Sequence, residues 1–227
     1  MAVIRPGTGE VIADAPDRRI EILSDHPAVN ATISRYGPRR EGADLHVHHR
    51  HTDVFYVLAG ELTVRLGVED RAVTVPAGSI ARVPPDVVHG FRNATDTEVS
   101  YLNFHVPGVR FADYLRGLRD GRPFPYDQFD PPADGGRPVG EAAIGPPPLE
   151  IEALRIVERS GEDEHEHVHH DLIESLYVLS GEAVLTLDGE RLPAPAGTWV
   201  QVEPGVRHAL AYPEGTRCLS LHAPAAG

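Results

Sequence analysis

Residues 161–181 read GEDEHEHVHHDLIESLYVLSG. His167 and His169 stand two apart, so on an extended chain both side chains point to one face. Glu174 follows across a turn, on the next strand, and His208 comes from a distant strand. Three imidazoles and one carboxylate make a donor set suited to a divalent metal. The pattern is written twice, at His46, His48, Asp53 and His89. His46 to His167 is 121 residues, Asp53 to Glu174 is 121, and His89 to His208 is 119. VFYVLAGELTV at 54–64 recurs as SLYVLSGEAVL at 175–185, and YLNFHVP at 101–107 as CLSLHAP at 218–224. A repeat of this length decides architecture before any local propensity does. It predicts two tandem β-barrels of similar shape.

Composition narrows the function classes. The 227 residues carry a net charge of −13, and an acidic surface repels phosphate backbones, so no nucleic-acid partner is expected. Every one of the 21 basic residues is arginine, which excludes a Schiff-base or P-loop lysine. Cys218 is the single cysteine, so neither an intramolecular disulfide nor a thiolate metal site can form. The opening MAVIRPGTGE has no apolar signal region and no run is long enough to span a bilayer, so a cytoplasmic protein without a membrane partner is expected.

Short strands broken by Gly and Pro fill residues 1–105. ELTVRL alternates, placing Leu62, Val64 and Leu66 on one face. VFYVLA at 54–59 and LYVL at 176–179 are apolar on both faces, as in strands covered on both sides. That leaves a homo-oligomer open. FADYLRGLR at 111–119 sets Phe111, Tyr114, Leu115 and Leu118 at helical spacing, which predicts a short helix packed on the barrel. Residues 120–148 are rich in Pro and Gly and are expected to lack regular structure. They form an inter-domain linker or, less favoured, a cover over a barrel mouth carrying Phe124, Tyr126 and Phe129. The expected division is therefore 1–110, a linking segment 111–148, and 149–227.

These residues resemble the bicupins, two-domain members of the cupin superfamily. The first cupin motif, G(X)5HXH(X)3,4E(X)6G, is met by Gly161, His167, His169, Glu174 and Gly181. The second, G(X)5PXG(X)2H(X)3N, is met by Gly78, Pro84, His89 and Asn93, with Asp86 where the second glycine belongs. Asp53 stands one methylene short of the motif glutamate, and Glu203 and Tyr212 replace the motif proline and asparagine in the second half. The resemblance implies an all-β chain of two jelly-roll cupin barrels joined by a helix and a Pro/Gly-rich loop. It also implies one divalent metal per barrel, with Fe, Mn, Ni, Co and Zn all admissible, held by His46, His48, Asp53 and His89 and by His167, His169, Glu174 and His208.

The remaining histidines divide by strand parity. His49 and His170 are expected to point out of the barrels, and His51 and His165 to be solvated. His105 and His222 line a cavity or, more favoured, play a hydrogen-bonded structural part. Asn93 and Tyr212 share the parity of their motif histidines, so both are expected to face inward and orient a substrate.

The resemblance further implies a quercetin-dioxygenase-like oxidoreductase. Its substrate is a small oxygen-rich molecule such as a flavonol, a diketone or a polyketide-like enol. Glu174 or Asp53 serves as general base, with Glu174 ranked first because its motif is intact. A non-redox isomerase, cyclase or decarboxylase is the alternative, and a small-molecule-binding cupin the third reading.

Overall fold

The computed structural model describes residues 1–161 and 165–225, so the acidic run Glu162-Asp163-Glu164 lies outside the described residues. The chain forms two compact units, Glu10–Pro146 and a second made of Pro147–Gly227 together with Met1–Gly9. The first strand, β1 (Ala2–Ile4), thus belongs to the second unit, where Val3 pairs with Val200. Three apolar residues carry no information about which edge they will join, so the sequence division at 110 and 148 could not anticipate this.

The first unit contains β2 (Glu10–Ala15), β3 (Arg18–Asp25), β4 (Asn30–Tyr36), β5 (Thr52–Ala59), β6 (Glu61–Leu66), β7 (Arg71–Pro76), β8 (Ile80–Val83), β9 (His89–Arg92), β10 (Val99–Val106), α1 (Phe111–Asp120) and β11 (Ala143–Gly145). One antiparallel sheet runs β11-β8-β5-β10-β4-β3-β2 and a smaller one β7-β6-β9. Phe55 and Val57 from the large sheet and Leu62, Val64 and Val75 from the small one meet in a single core. Val54 and Tyr56, on the opposite face of β5, are buried too, as the unbroken apolar run requires.

Helix α1 buries Ala112 and Leu115 against this core. Its end is set by Gly121, left-handed at φ 66°, whose N–H donates to the Gly117 carbonyl. Arg116 ties it to the sheet through Glu10 at 2.6 Å and Asp25 at 3.0 Å. The following segment is not devoid of regular structure. Val139–Glu141 form a 3-10 turn, and β11 adds an edge strand to β8. Pro cannot donate to a ladder, but three consecutive residues without it at 143–145 suffice to pair with an exposed edge.

The second unit repeats the plan with β12 (Leu149–Ile151), β13 (Leu154–Ser160), β14 (Leu172–Ser180), β15 (Glu182–Leu187), β16 (Glu190–Pro195), β17 (Trp199–Val202), β18 (His208–Ala211) and β19 (Arg217–Pro224). Its large sheet runs β1-β17-β14-β19-β13-β12 and its small one β16-β15-β18. The glycine after the apolar run does the same work in both units. Gly60 has φ 74°, and a Cβ there would sit 2.5 Å from the Glu98 carbonyl oxygen. Gly181 has φ 73°, and its Cβ would meet Thr216 at 2.7 Å. Only glycine turns the chain from one sheet into the other at this closeness. Among the described residues no helix is long and apolar enough to cross a membrane.

Candidate metal centres and the first-barrel cavity

In the first unit His46 and His48 lie just before β5, Asp53 on β5 and His89 at the start of β9. The backbones of His46 and His89 bond reciprocally, at 2.8 and 2.9 Å, which locks the two rings side by side. His46 Nε2 lies 3.1 Å from His48 Nε2, and Asp53 Oδ2 lies 3.3 Å from His89 Nε2 and 4.0 Å from His48 Nε2. Two donors bound at right angles to one metal at ~2.1 Å sit about 3 Å apart, so these spacings fit a shared ion. Each ring has its other nitrogen occupied. His46 Nδ1 donates to the Asp44 carbonyl at 2.7 Å, His89 Nδ1 to the Val87 carbonyl at 2.9 Å, and His48 Nδ1 to the Asp127 carbonyl. These bonds select the tautomer that leaves Nε2 free as ligand. Burial lowers the His46 pKa to about 4 and that of His48 further still, so both rings are neutral, the ligand form. Burial alone would raise Asp53, but His105, His89 and His48 outweigh it and hold the carboxyl below its ordinary range.

The second unit builds the same set. His167 Nε2 lies 3.2 Å from His169 Nε2, and Glu174 Oε2 lies 2.8, 3.2 and 3.5 Å from His208, His169 and His167. Nδ1 of His167 and His208 again face backbone carbonyls, of His165 and Val206. Glu174 is pushed down: burial opposes this, and hydrogen bonds from His208 and His222 override it. The full-length glutamate reaches all three rings, and these four residues form a group that could hold a metal. In the first unit the corresponding tight group is His46, His48 and His89, with the shorter Asp53 standing slightly back.

The second cupin motif acquires a physical reason. Asp86 has φ 68° and its N–H bonds the His48 carbonyl at 2.7 Å; Gly205 has φ 80° and its N–H bonds the His169 carbonyl at 2.6 Å. The motif wants glycine because the turn is left-handed, and Asp is among the residues that tolerate it.

A sequence profile described as "Cupin domain" matches residues 32–105 and 155–222, more than half of the chain. The chain belongs to the cupin domain family. No curated protein sequence matches it. Among solved structures, the protein Ylba from E. coli superposes with a TM-score of 0.69 at 15% identity, over 100% of this chain and 91% of that one. A salicylate 1,2-dioxygenase from Pseudaminobacter salicylatoxidans gives 0.65 at 16%, over 98% and 83%. An oxalate decarboxylase gives 0.60 at 14%, over 99% and 77%. At these identities the likeness is one of fold, that of a bicupin.

The two cupin barrels differ in what surrounds the ligands. In the first, residues 122–137 lie across the site. Phe129 pairs with Val47, between the two motif histidines, through bonds of 2.9 and 3.0 Å. Asp127 is buried and accepts the backbone N–H groups of His49 and Arg50 and Nδ1–H of His51 at 2.9 Å. His51, expected to be solvated, is buried, because Asp127 comes over it and supplies the partner that burial demands. His51 Nε2 and the Tyr126 hydroxyl both meet His105 Nδ1, at 3.0 and 2.5 Å, and His105 Nε2 donates to Asn103 Oδ1. Asn103 in turn donates to Asp53 Oδ1. The linking segment is therefore a wall of the first site, the reading ranked second from sequence. His49 is exposed and bonds Asp86, and His170 is exposed, both as parity predicts.

Beneath this cover lies a cavity of about 210 Å³ that touches His46, His48, Asp53 and His105 and extends along β3, β4 and α1. Neither Asn93 nor Tyr212 lines this cavity. The Asn93 amide donates to the carbonyls of Tyr36, Gly37 and Thr97, stapling a turn, and Tyr212 packs in the core of the second barrel. Parity placed them inward correctly, but backbone carbonyls and packing consume them.

Proposed function

We propose that this bicupin is a divalent-metal-dependent enzyme whose first barrel receives a small oxygen-bearing organic molecule. The observation that carries the reading is the cavity that opens onto His46, His48 and Asp53, walled along one side by α1 and touched by Gln128 of the segment that follows it. A volume of about 210 Å³ lies below the roughly 300–1,000 Å³ of drug-sized sites. It favours one or two rings, or an enol of that size, over a flavonol. Bound to this donor set, a divalent ion supplies Lewis acidity and a template for a chelating enolate and dioxygen.

The chain's own residues do the rest. His46, His48 and His89 present Nε2 in orientations fixed by backbone carbonyls. Asp53 is the ionised carboxylate at the cavity wall and the proton acceptor in this reading. Asn103 and His105 hold it in place, and Tyr126 keeps His105 oriented. Glu174 ranks first on its motif, but the cavity beside Asp53 argues for Asp53. The dioxygenase reading has support from a fold neighbour named as a salicylate dioxygenase, and the decarboxylase reading from one named as an oxalate decarboxylase.

The test is oxygen uptake by protein loaded in turn with Fe(II), Mn(II), Ni(II), Co(II) and Zn(II), against one-ring enols, 1,2-diketones and ring-hydroxylated acids. Substrate-dependent oxygen consumption is the expected result. Full conversion under strict anaerobiosis replaces the dioxygenase reading with the non-redox one.

A further inference from the structure

The cavity has a second polar end. Strand register orders its wall from the metal-ligand end outward: His105 lies opposite Asp53, then Asn103 opposite Thr32, Tyr101 opposite Ser34, and Val99 opposite Tyr36. Tyr36 pairs with Arg18 on β3, so Arg18 closes the far end. Its guanidinium carbon lies 5.6 Å over the Tyr36 ring, and its charge reaches the hydroxyls of Tyr101 and Tyr114.

Arg18 makes no ion pair among the described residues. The acids beside it in sequence belong to other arginines. Asp14 and Glu21 pair with Arg19 at 2.8 and 2.7 Å, and Asp17 pairs with Arg40 at 3.1 Å. Arg18 Nε is buried and has no hydrogen-bond partner. A buried donor left unmet is destabilising, and a ligand acceptor relieves it. A planar fork of N–H donors over an aromatic face is the arrangement that recognises a carboxylate. In a chain of net charge −13, Arg18 is, among the described residues, the unpaired cation that lines this cavity, as an anion's anchor would.

We propose that Arg18 binds a carboxylate at the far end of the first-barrel cavity. The substrate is then a small aromatic or enolic acid, with its chelating oxygens at the His46, His48 and Asp53 end. Arg18 pairs with Tyr36, which lies opposite Val99, and six residues separate the Val99 and His105 rows, ~20 Å of strand. Inward side chains shorten the gap, so the two polar ends of the ligand lie on the order of 10 Å apart. This rests on the reading of the first barrel as the substrate site. It adds that the charge at the far end, rather than the metal, selects among molecules of similar shape.

The probe pair is 3,4-dihydroxycinnamate and its primary amide, titrated calorimetrically into the full chain with and without Co(II). The expected result is an acid that binds about 10- to 100-fold more tightly than the amide. In Arg18→Gln that preference disappears, and in Arg18→Lys part of it returns. Equal affinities for acid and amide in the unaltered protein overturn the proposal, and so does an acid preference that survives Arg18→Gln. No binding of the acid at millimolar concentration also overturns it. The comparison in the unaltered protein decides the matter even where a variant folds poorly. The metal reading is scored separately. If metal changes neither affinity while the Arg18-dependent preference holds, the metal assignment fails and the carboxylate anchor stands.

Discussion

Each barrel brings three histidines and one carboxylate together, and the two surround them differently. In the first, all four side chains are nearly inaccessible, residues 122–137 lie over them, and a cavity reaches them from inside. In the second, the His167 and His169 side chains keep 30% and 26% of their exposure. The barrel that satisfies the first motif without change is the more open one. The barrel with the shortened carboxylate has the cavity, the His51–Asp127–Tyr126–His105 cluster and, among the described residues, an Arg18 without an ion pair. Motif fidelity therefore reports ligand geometry, and enclosure reports where a substrate can be held away from water.

The sharpest way to break this comparison is to empty one barrel at a time. His46→Ala with His48→Ala should remove one equivalent of metal and all turnover. His167→Ala with His169→Ala should remove one equivalent and leave turnover within about threefold, because loss of ligands in a site that holds no substrate touches only stability. Elemental analysis beside a rate assay reads both. If the second double variant is the inactive one, the assignment of the barrels is reversed.

A smaller effect is expected from the cover. Asp127→Ala removes the acceptor for His51, His49 and Arg50. Loss of such supporting bonds typically weakens metal binding by about 10- to 100-fold. Competition with a chelator should show that loss in the first site and none in the second, with faster amide exchange across 122–137. Equal weakening of both sites would mean that Asp127 acts on the whole fold.

The smallest difference lies in pH. The fold holds His46 and His105 neutral, at about 4 and about 3, against an ordinary value of 6.5. Below pH 6.5 the unfolded chain takes up protons that the fold refuses, so stability falls with falling pH. For metal-free protein the denaturant midpoint should drop as pH goes from 6.5 to about 4, and continue to drop towards 3. Added metal opposes the drop at the upper end of that range. A midpoint that rises on acidification would contradict the burial of these rings.

Much of this was written in the repeat. The 121-residue offset and the histidine spacing gave both barrels and the arrangement of their ligands, because strand parity fixes which side chains share a face. What escaped was set by contacts distant in sequence. His51 looks like a turn residue until Asp127, 76 residues later in an aperiodic segment, is brought over it. The cluster PYDQF at 125–129, two aromatics and an acid inside a long loop, was the one local sign that this stretch does more than connect. Asn93 had the right parity, yet three backbone carbonyls claimed its amide, a competition that spacing cannot display.

The central claim, that the first barrel does the chemistry, is tested most directly by comparing Asp53→Asn with Glu174→Gln under saturating substrate and full metal loading. The account predicts that Asp53→Asn lowers the rate by about 10²–10⁴-fold, the range for a lost general base, while Glu174→Gln keeps nearly all of it. A Glu174→Gln protein without activity beside an active Asp53→Asn protein would contradict it.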